Sequence, residues 1–356
     1  MEKKNEKTWL KTIILGIFIA IFALSLFFSG KIDAKLNKLA KSIGVNISKN
    51  ELIVHYISVG QGDAIAINFP NEEVMIIDCG TKISTNVLVK YIANNVLKDR
   101  NNRDVDYLVI SHPDIDHSGG GCAVFEEFDV KNFYRPNIAS IDETGFAMVS
   151  ETPEYAELIN KSKTEGCNIN IVDKNYEFNV GNAQVKIFAP LRAYSSTNEM
   201  SCVVRIKYLE KTFLFVGDLQ DTAELDMLEA YGNELKADVL KVGHHGSYKA
   251  TSLDFINCVK PEYAVISVGI NSYGHPNMQV INNLKSVNAT VLRTDELGDI
   301  RFCVSNSGLS LLDEGEVCST IFLKWWKIVV VAEIGLSILL VIEVVRVRKL
   351  RKRDEI

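Results

Sequence analysis

A group of potential metal ligands placed directly after an apolar run constrains the fold of this chain more than any other feature. The run ends at Ile110 and is typical of a buried strand, and the segment Ser111-His-Pro-Asp-Ile-Asp-His-Ser-Gly-Gly-Gly121 follows it. Its candidate ligands are His112, Asp114, Asp116 and His117. The first two stand two residues apart and can face one side of an extended backbone, whereas the last two are adjacent and diverge. This spacing favours two neighbouring metal ions over one.

The remaining histidines fall into similar segments. The chain has six histidines, and five of them lie in three short segments that contain glycine. Besides the first segment, these are His244-His-Gly-Ser247 and Gly274-His-Pro276, and Gly217-Asp218 follows another apolar run that ends at Val216. A polar loop that only caps a strand does not account for this repetition. Imidazole nitrogens and carboxylate oxygens bind divalent first-row metals, so the chain is predicted to hold a metal centre.

Together these segments resemble the metallo-β-lactamase fold superfamily, and most closely the hydrolase domain of ComEC-type competence proteins. The matching segments are Val59-Gly-Gln-Gly-Asp-Ala64, Ile77-Asp-Cys-Gly80, Ser111-His-Pro-Asp-Ile-Asp-His-Ser-Gly-Gly120, Gly217-Asp-Leu219, Leu240-Lys-Val-Gly-His-His-Gly-Ser247 and Val268-Gly-Ile-Asn-Ser-Tyr-Gly-His-Pro276. They stand in the order of the family and cover roughly residues 50–312. The resemblance implies an α/β fold, the αββα sandwich, and a metal-dependent hydrolase.

Hydrophobic periodicity agrees with two sheets that carry helices on their outer faces. The predicted strands are 51–59, 64–67, 74–77, 202–209, 211–216 and 238–242, and the predicted helices are 84–97, 153–163 and 219–231. Apart from its helix, the region from about 131 to 190 has a less regular pattern. Further strand and helix units are expected as far as residue 312.

The resemblance also implies how the metal ions are held. The predicted metal ligands are His112, Asp114, Asp116, His117, Asp218, His244 and His245. The first two bind one ion, the next two bind a second ion, and Asp218 bridges both. One histidine of the pair 244 and 245 completes the second metal position. We favour His244, and both histidines are candidates. The ligand set admits one or two zinc ions, with manganese as a rival.

One expected ligand is missing. Many members of the superfamily place a further histidine before the strand that corresponds to 202–209, where this chain has Ser195-Ser-Thr-Asn-Glu-Met-Ser201. Asn198 or water would then stand in, and the first metal position would be weak or empty. Asp114 also replaces a histidine that is common at its position, as is usual in the ComEC-like branch.

Hydrolysis by a hydroxide held between the metal ions is the expected chemistry, because the chain has no Gly-x-Ser-x-Gly segment to supply a serine. Asp116 and His275 are the predicted catalytic residues. His275 would donate a proton or contact a phosphate, and a role in a turn is the alternative. Ser247 and Asn271 are candidate substrate contacts, together with His275.

Three other polar residues are expected to have supporting roles. Asp63 and Asp78 each stand beside a glycine, and we expect them to hold metal ligands in place or to form turns. His55 lies in an apolar run, so we expect it to pack within the first strand.

Two apolar segments outside the hydrolase domain indicate a membrane protein. Residues 12–30 carry no charge and are long enough to span a bilayer. Phe28 stands where signal-peptide cleavage needs a small residue, which favours a retained anchor over a cleaved signal. Residues 324–345 begin with Lys-Trp-Trp-Lys and precede a basic tail, and a spanning helix has such tryptophans and basic residues at its two interfaces. Glu333 and Glu343 also fit the alternative, an amphipathic helix on the membrane surface.

The predicted organisation is a cytoplasmic N-terminus (1–11), a transmembrane helix (12–30), a linker (31–49), the hydrolase domain (50–316), a second transmembrane helix (324–345) and a basic cytoplasmic tail (346–356). The six basic residues of the tail place the C-terminus in the cytoplasm. With two spans, the hydrolase domain is expected on the extracytoplasmic side of the cell membrane.

The charge of the hydrolase domain bears on its substrate. Residues 46–316 carry 23 Lys and Arg against 38 Asp and Glu, a net charge of −15. Proteins that grip long duplexes present basic surfaces, so the charge weakens a nuclease interpretation without removing it. We expect a membrane-anchored phosphodiesterase or nuclease. The alternatives are a small-phosphoester hydrolase and a catalytically degenerate metal- or ligand-binding module in a membrane assembly.

Overall fold

The computed structural model of the chain describes residues 50–98, 100, 102–138 and 152–312. Its strands are β1 (Leu52–Tyr56), β2 (Ala64–Asn68), β3 (Val74–Cys79), β4 (Asp104–Val109), β5 (Asp129–Pro136), β6 (Asn168–Val172), β7 (Tyr176–Val180), β8 (Ala183–Phe188), β9 (Val203–Tyr208), β10 (Lys211–Phe215), β11 (Val239–Lys241), β12 (Tyr263–Ile266), β13 (Thr290–Arg293), β14 (Ile300–Ser305) and β15 (Gly308–Leu312). Its α-helices are α1 (Thr85–Tyr91), α2 (Ile115–Ser118), α3 (Gly121–Glu127), α4 (Pro153–Thr164), α5 (Asp221–Tyr231), α6 (Leu253–Val259), α7 (Met278–Ser286) and α8 (Thr294–Leu297).

The strands form two mixed sheets. In the described residues the first sheet has the order β15-β14-β1-β2-β3-β4-β5-β6, and the second has the order β13-β12-β11-β10-β9-β8-β7. Strands β3 to β6 are parallel, and so are strands β10 to β13. The carboxyl ends of neighbouring parallel strands lie along one edge of a sheet, where ligands commonly bind. The segments after β4, β10, β11 and β12 carry the predicted metal ligands and substrate contacts.

An apolar core fills the space between the sheets. Tyr56 and Phe302 from the first sheet pack against Phe213 and Phe215 from the second, and all four side chains are buried. The ring centroids of Tyr56 and Phe215 are 6.0 Å apart, and those of Phe213 and Phe302 are 6.2 Å apart. Aromatic pairs at such separations contribute about 0.5–1.5 kcal/mol beyond the area they bury.

Helices cover the outer face of each sheet. Leu88 of α1, Val124 of α3 and Leu158 of α4 pack on the first sheet. Helices α5 and α6 pack on the second sheet through Met227 and Phe255, and α7 packs there through its apolar face. The layer order is therefore helix, sheet, sheet, helix, which confirms the predicted α/β fold.

Most predicted elements are present, with two differences. The predicted helix at 84–97 consists of a 3-10 turn (Lys82–Ser84), α1 and a π-helical turn (Ile92–Val96). The region from 131 to 190, described above as less regular, contains most of β5 and all of β6, β7 and β8 besides the expected helix α4. Strands β6 and β7 are at sheet edges and are largely exposed, and their short sequences alternate polar and apolar residues in place of a continuous apolar run.

The described residues include no helix that is long and apolar enough to cross a lipid bilayer. The predicted spans, 12–30 and 324–345, lie outside the described residues, as do the terminal segments and the linker around them.

Candidate metal centre

The site forms where strand ends of the two sheets meet. His112 follows β4, Asp218 follows β10, and the pair His244 and His245 follows β11. Gly217 lets the loop after β10 approach the first sheet, because a Cβ at this position would lie 2.8 Å from the Cβ of Ser111. Its φ of 54° also lies in the left-handed region that glycine adopts readily.

Four imidazole rings converge on the carboxylate of Asp218, which is buried. The distances to its oxygens are 3.2 Å from Nε2 of His117, 3.5 Å from Nε2 of His245, 3.6 Å from Nε2 of His244 and 3.9 Å from Nε2 of His112. In each ring it is Nε2 that faces the carboxylate. The structure thus brings together four of the predicted histidines around the predicted bridging residue.

The opposite nitrogen of each ring is held by a hydrogen-bond acceptor. The Nδ1 contacts are His117 with Asp78 Oδ2 at 2.8 Å, His245 with the Ser267 carbonyl at 2.8 Å, His244 with Gln220 Oε1 at 2.5 Å and His112 with Ser111 Oγ at 3.0 Å. The Ser111 hydroxyl donates to Asp78, so its lone pairs face the His112 ring. Carboxylate and carbonyl oxygens have no hydrogen to donate, so Nδ1 carries the proton and Nε2 of the neutral ring presents a lone pair.

Lone pairs and carboxylate oxygens cannot satisfy one another without a cation between them. Nε2 of His112 and Oδ1 of Asp218 are buried and have no hydrogen-bond partner. Buried polar atoms in native proteins nearly always have a partner, and a divalent ion would be a partner for both of these atoms. The residues present therefore fit a metal ion, and His112, His117 and Asp218 could hold one together.

The second predicted metal position is assembled around Asp116. Its Oδ2 lies 3.2 Å from Nε2 of His245, and this nitrogen lies 3.3 Å from Nε2 of His117. Asp218 contacts both rings, so these four residues lie together as one candidate ligand set. Of the pair, His245 lies beside Asp116 and His117, whereas His244 is the residue predicted above for the second position.

The first predicted position contains His112 and Asp114, whose Nε2 and Oδ2 are 3.8 Å apart. The segment that lacks the expected histidine forms a 3-10 turn, Asn198–Met200. Nδ2 of Asn198 lies 3.4 Å from Nδ1 of His244, on the side of that ring which faces away from Asp218.

Buried carboxylates make the centre strongly negative, so positive charge stabilises it. Burial opposes protonation of His117, but Asp218, Asp78 and Asp63 together raise its pKa well above the ordinary value. Burial likewise opposes protonation of His245, yet Asp218 and Asp116 raise its pKa to about 10. A bound divalent ion would supply this positive charge and compete with the protons.

Lys241 is a member of the centre that the sequence analysis did not identify. It is fully buried in β11, and its ammonium group forms an ion pair with Asp63 and donates a 2.9 Å hydrogen bond to the Gly217 carbonyl. Burial opposes its charge, but Asp63 and Asp218 raise its pKa. A lysine within the apolar run 239–242 was the available signal, because a buried lysine needs an anionic partner.

Asp63 and Asp78 both lie behind the histidine rings. Asp63 oxygens are 3.7 Å from Nδ1 of His117 and 3.4 Å from Nδ1 of His245. Asp63, His117 and His245 could also group around an ion, but both Nδ1 atoms already donate to Asp78 and to Ser267. Asp78 is thus placed to orient His117, and Asp63 is placed to pair with Lys241.

The predicted substrate contacts differ in position. The ring of His275 lies beside that of His244, with centroids 5.2 Å apart, and Nδ1 of His275 is buried without a partner. Asn271 donates to two carbonyl groups and accepts from two backbone N–H groups of its own loop, so its amide shapes that loop. Ser247 is buried, and its N–H donates to the His244 carbonyl.

His55 lies in β1, as expected from the apolar run. Its Nδ1 lies 3.0 Å from the Tyr91 hydroxyl and its Nε2 lies 3.0 Å from Asn68 Oδ1. These partners come from α1 and β2, so His55 has a structural role.

Several known proteins are similar to this chain. Residues 57–270 match the family model of the Metallo-beta-lactamase superfamily. The chain is 29% identical over 272 residues to ComE operon protein 3 of Bacillus subtilis, which aligns 71% of this chain with 33% of that protein. It is 30% identical over 266 residues to Competence protein ComA of Neisseria gonorrhoeae, which aligns 74% of this chain with 34% of that protein. The chain therefore spans about a third of the length of these curated relatives.

Among solved structures, the metallo-beta-lactamase fold protein YhfI from Bacillus subtilis is similar at a TM-score of 0.43. The two chains are 10% identical, and the match covers 68% of this chain and 97% of that one.

Proposed function

Since this chain belongs to the metallo-β-lactamase superfamily, we propose that its histidine and aspartate centre binds two divalent metal ions and hydrolyses a phosphodiester bond. The observation that carries the proposal is the convergence of four Nε2 atoms on the buried carboxylate of Asp218. A pair of bound divalent ions would lower the pKa of water towards 7 and polarise a substrate oxygen. Zinc or manganese suits this mixed nitrogen and oxygen ligand set.

Residues around the ligands keep that arrangement rigid. Asp78 orients His117 directly and orients His112 through the Ser111 hydroxyl. The Ser267 carbonyl orients His245. Such outer partners fix the tautomer and direction of a metal-binding imidazole, so the chain supplies a preorganised site.

His275 is the residue we assign to proton transfer at the leaving group. Its ring is partly buried beside His244, and burial, followed by the nearby histidines 244 and 245, lowers its pKa. The side chain of Asp116 is 25% exposed. It lies where the metal centre meets the solvent, from which the substrate enters.

A nucleic-acid phosphodiester is the substrate that the resemblance to ComEC-type competence proteins suggests. The net charge of −15 over residues 46–316 favours a second candidate, a small phosphoester, because an acidic surface repels a long polyanion. We also propose that residues 12–30 and 324–345 anchor the chain in the cell membrane with the hydrolase domain outside. Labelling of single introduced cysteines with an impermeant reagent in whole cells tests this sidedness.

The test of the activity uses the purified full-length chain and bis(p-nitrophenyl) phosphate with added zinc or manganese. We expect metal-dependent release of nitrophenolate, and its loss in His112→Ala and Asp116→Asn. Asp173→Asn is the matched control, since Asp173 is exposed in the loop between β6 and β7.

The choice of substrate distinguishes the remaining functions. Cleavage of single-stranded DNA supports a nuclease, whereas turnover of p-nitrophenyl phosphate alone supports a small-phosphoester hydrolase. A folded, metal-loaded chain that hydrolyses none of these substrates contradicts the enzymatic proposal and supports a binding module.

A further inference from the structure

We infer that His244 completes the first metal position, in place of the histidine that is absent from the segment 195–201. The inference rests on the proposed two-metal centre and assigns its two ligand sets. His112, Asp114 and His244 hold one ion, Asp116, His117 and His245 hold the other, and Asp218 serves both.

The ring of His244 has the orientation of a metal ligand. Its Nδ1 lies 2.5 Å from Gln220 Oε1, and an amide oxygen can only accept. The proton is therefore on Nδ1, and the lone pair of Nε2 points to Oδ2 of Asp218 at 3.6 Å. Oδ2 is also the Asp218 oxygen nearest to Nε2 of His112, at 3.9 Å.

The backbone is bent so that two consecutive histidines reach the same carboxylate. In a strand, neighbouring side chains point to opposite faces. Here His244 and His245 have φ values of 45° and 51°, a left-handed conformation that is unfavourable for residues with a Cβ. The N–H of His244 donates to the Gly217 carbonyl, which ties the turn to the loop that carries Asp218.

His112, the other histidine of the first metal position, is completely buried and its Nε2 lacks a hydrogen-bond partner. His112, Asp114 and Asp218 supply three protein ligands to this ion, and a tetrahedral protein site has a fourth position that a ligand on the His244 side can fill. Nε2 of His244 is available for that purpose because its Nδ1 is already bound to Gln220.

Asn198 is less suited to be the replacement ligand. Its amide nitrogen faces Nδ1 of His244 at 3.4 Å, behind the ring as seen from Asp218. Gln220 therefore positions His244, and the Asn198 amide nitrogen, which has no lone pair to offer, lies behind the ring. With His244 assigned, each ion has two imidazoles, its own aspartate and a share of Asp218, so we expect both positions to fill and the first position not to be weak.

Metal counting on the purified full-length chain tests the assignment without reference to activity. The chain is stripped with a chelator, equilibrated with zinc and analysed for zinc per chain, and affinities are measured against a chromophoric chelator. We expect two ions in the unaltered chain and one tightly bound ion in His244→Ala. The remaining position should weaken by about 100-fold or more, because loss of even an outer partner of a ligand costs about 10–100-fold.

Paired substitutions show which position His244 serves. His112→Ala combined with His244→Ala should still bind one ion, because both changes affect the same position. Asp116→Asn combined with His244→Ala should lose both ions. His275→Ala is the matched control, since its ring is the neighbour of His244 and it should keep two ions.

The possible outcomes separate the inference from the proposed function. Absence of zinc from the unaltered, folded chain overturns the metal centre itself. Two ions in the unaltered chain and two in His244→Ala, at unchanged affinity, overturn only the assignment of His244. The reverse result in the paired substitutions would assign His244 to the second position. If His244→Ala does not fold, as judged by circular dichroism, His244→Gln replaces it.

Discussion

Nδ1 of His117 donates a 2.8 Å hydrogen bond to the Asp78 carboxylate, and the Ser111 backbone N–H donates to the other oxygen of that carboxylate at 2.7 Å. Asp78 therefore joins a ligand on α2 to the end of β4. Because the bond fixes the ring of His117, the direction of its Nε2 towards Asp218 is set before an ion binds.

Replacement of Asp78 by asparagine tests this preorganisation. We expect Asp78→Asn to weaken metal binding by about 10–100-fold while the number of ions per chain stays the same, because no ligand is removed. Competition with a chromophoric chelator measures the change. Asp106→Asn is a matched control, since Asp106 also accepts a backbone N–H, from Val74, but in another part of the sheet. Equal losses in both variants would show that the effect is one of general stability.

The ion pair between Lys241 and Asp63 leads to a second prediction, which concerns the stability of the chain. Both side chains are completely buried, so Lys241→Met leaves a carboxylate without its cation. We expect the free energy of unfolding of the metal-free chain to fall by about 3–5 kcal/mol, measured by urea denaturation. Asp63→Asn in the same chain should restore part of that loss. An additive effect of the two substitutions would contradict a direct interaction.

The residues that converge on Asp218 were predictable from the sequence because they follow apolar runs. The runs that end at Ile110 and Val216 are buried strands with their residues facing the core, so their ends mark one edge of the sandwich. The edge strands β6 and β7 gave no such signal. In both strands polar residues alternate with apolar ones, as in Asn168–Val172, where Ile169 and Ile171 are exposed, and edge strands depend on pairing more than on burial.

The choice within the pair His244 and His245 could not be made from the sequence. Both residues adopt left-handed conformations, which turn both rings towards Asp218, and residue spacing assumes ordinary backbone. Lys241 was overlooked for a different reason. Its partner Asp63 is distant in the sequence, so only the folded chain brings the two charges together.

The buried side chain of His55, in β1, should make the stability of the chain depend on pH. Burial lowers the pKa of His55 to about 4 from its ordinary value of 6.5. Between these values the unfolded chain binds the proton and the folded chain does not, so the stability contribution is full above pH 6.5 and is lost as the pH falls towards 4. The loss amounts to about 3 kcal/mol.

His55→Gln should reduce this pH dependence, since glutamine does not titrate and can still hydrogen-bond to Asn68. Urea denaturation of the metal-free chain at several pH values between 4 and 7 measures the slope. The same slope in the variant and in the unaltered chain would show that another group is responsible.

His275 allows a prediction about the leaving group. A proton donor matters most when the leaving group is a poor one, because nitrophenolate departs without protonation. We therefore expect His275→Ala to leave kcat for bis(p-nitrophenyl) phosphate nearly unchanged and to lower kcat for a dinucleotide by about 10²–10⁴-fold, the usual contribution of general acid catalysis. Since the pKa of His275 is lowered, the lost rate should be largest at acidic pH, where the donor is protonated. A rise in KM with both substrates at constant kcat would instead identify His275 as a phosphate contact.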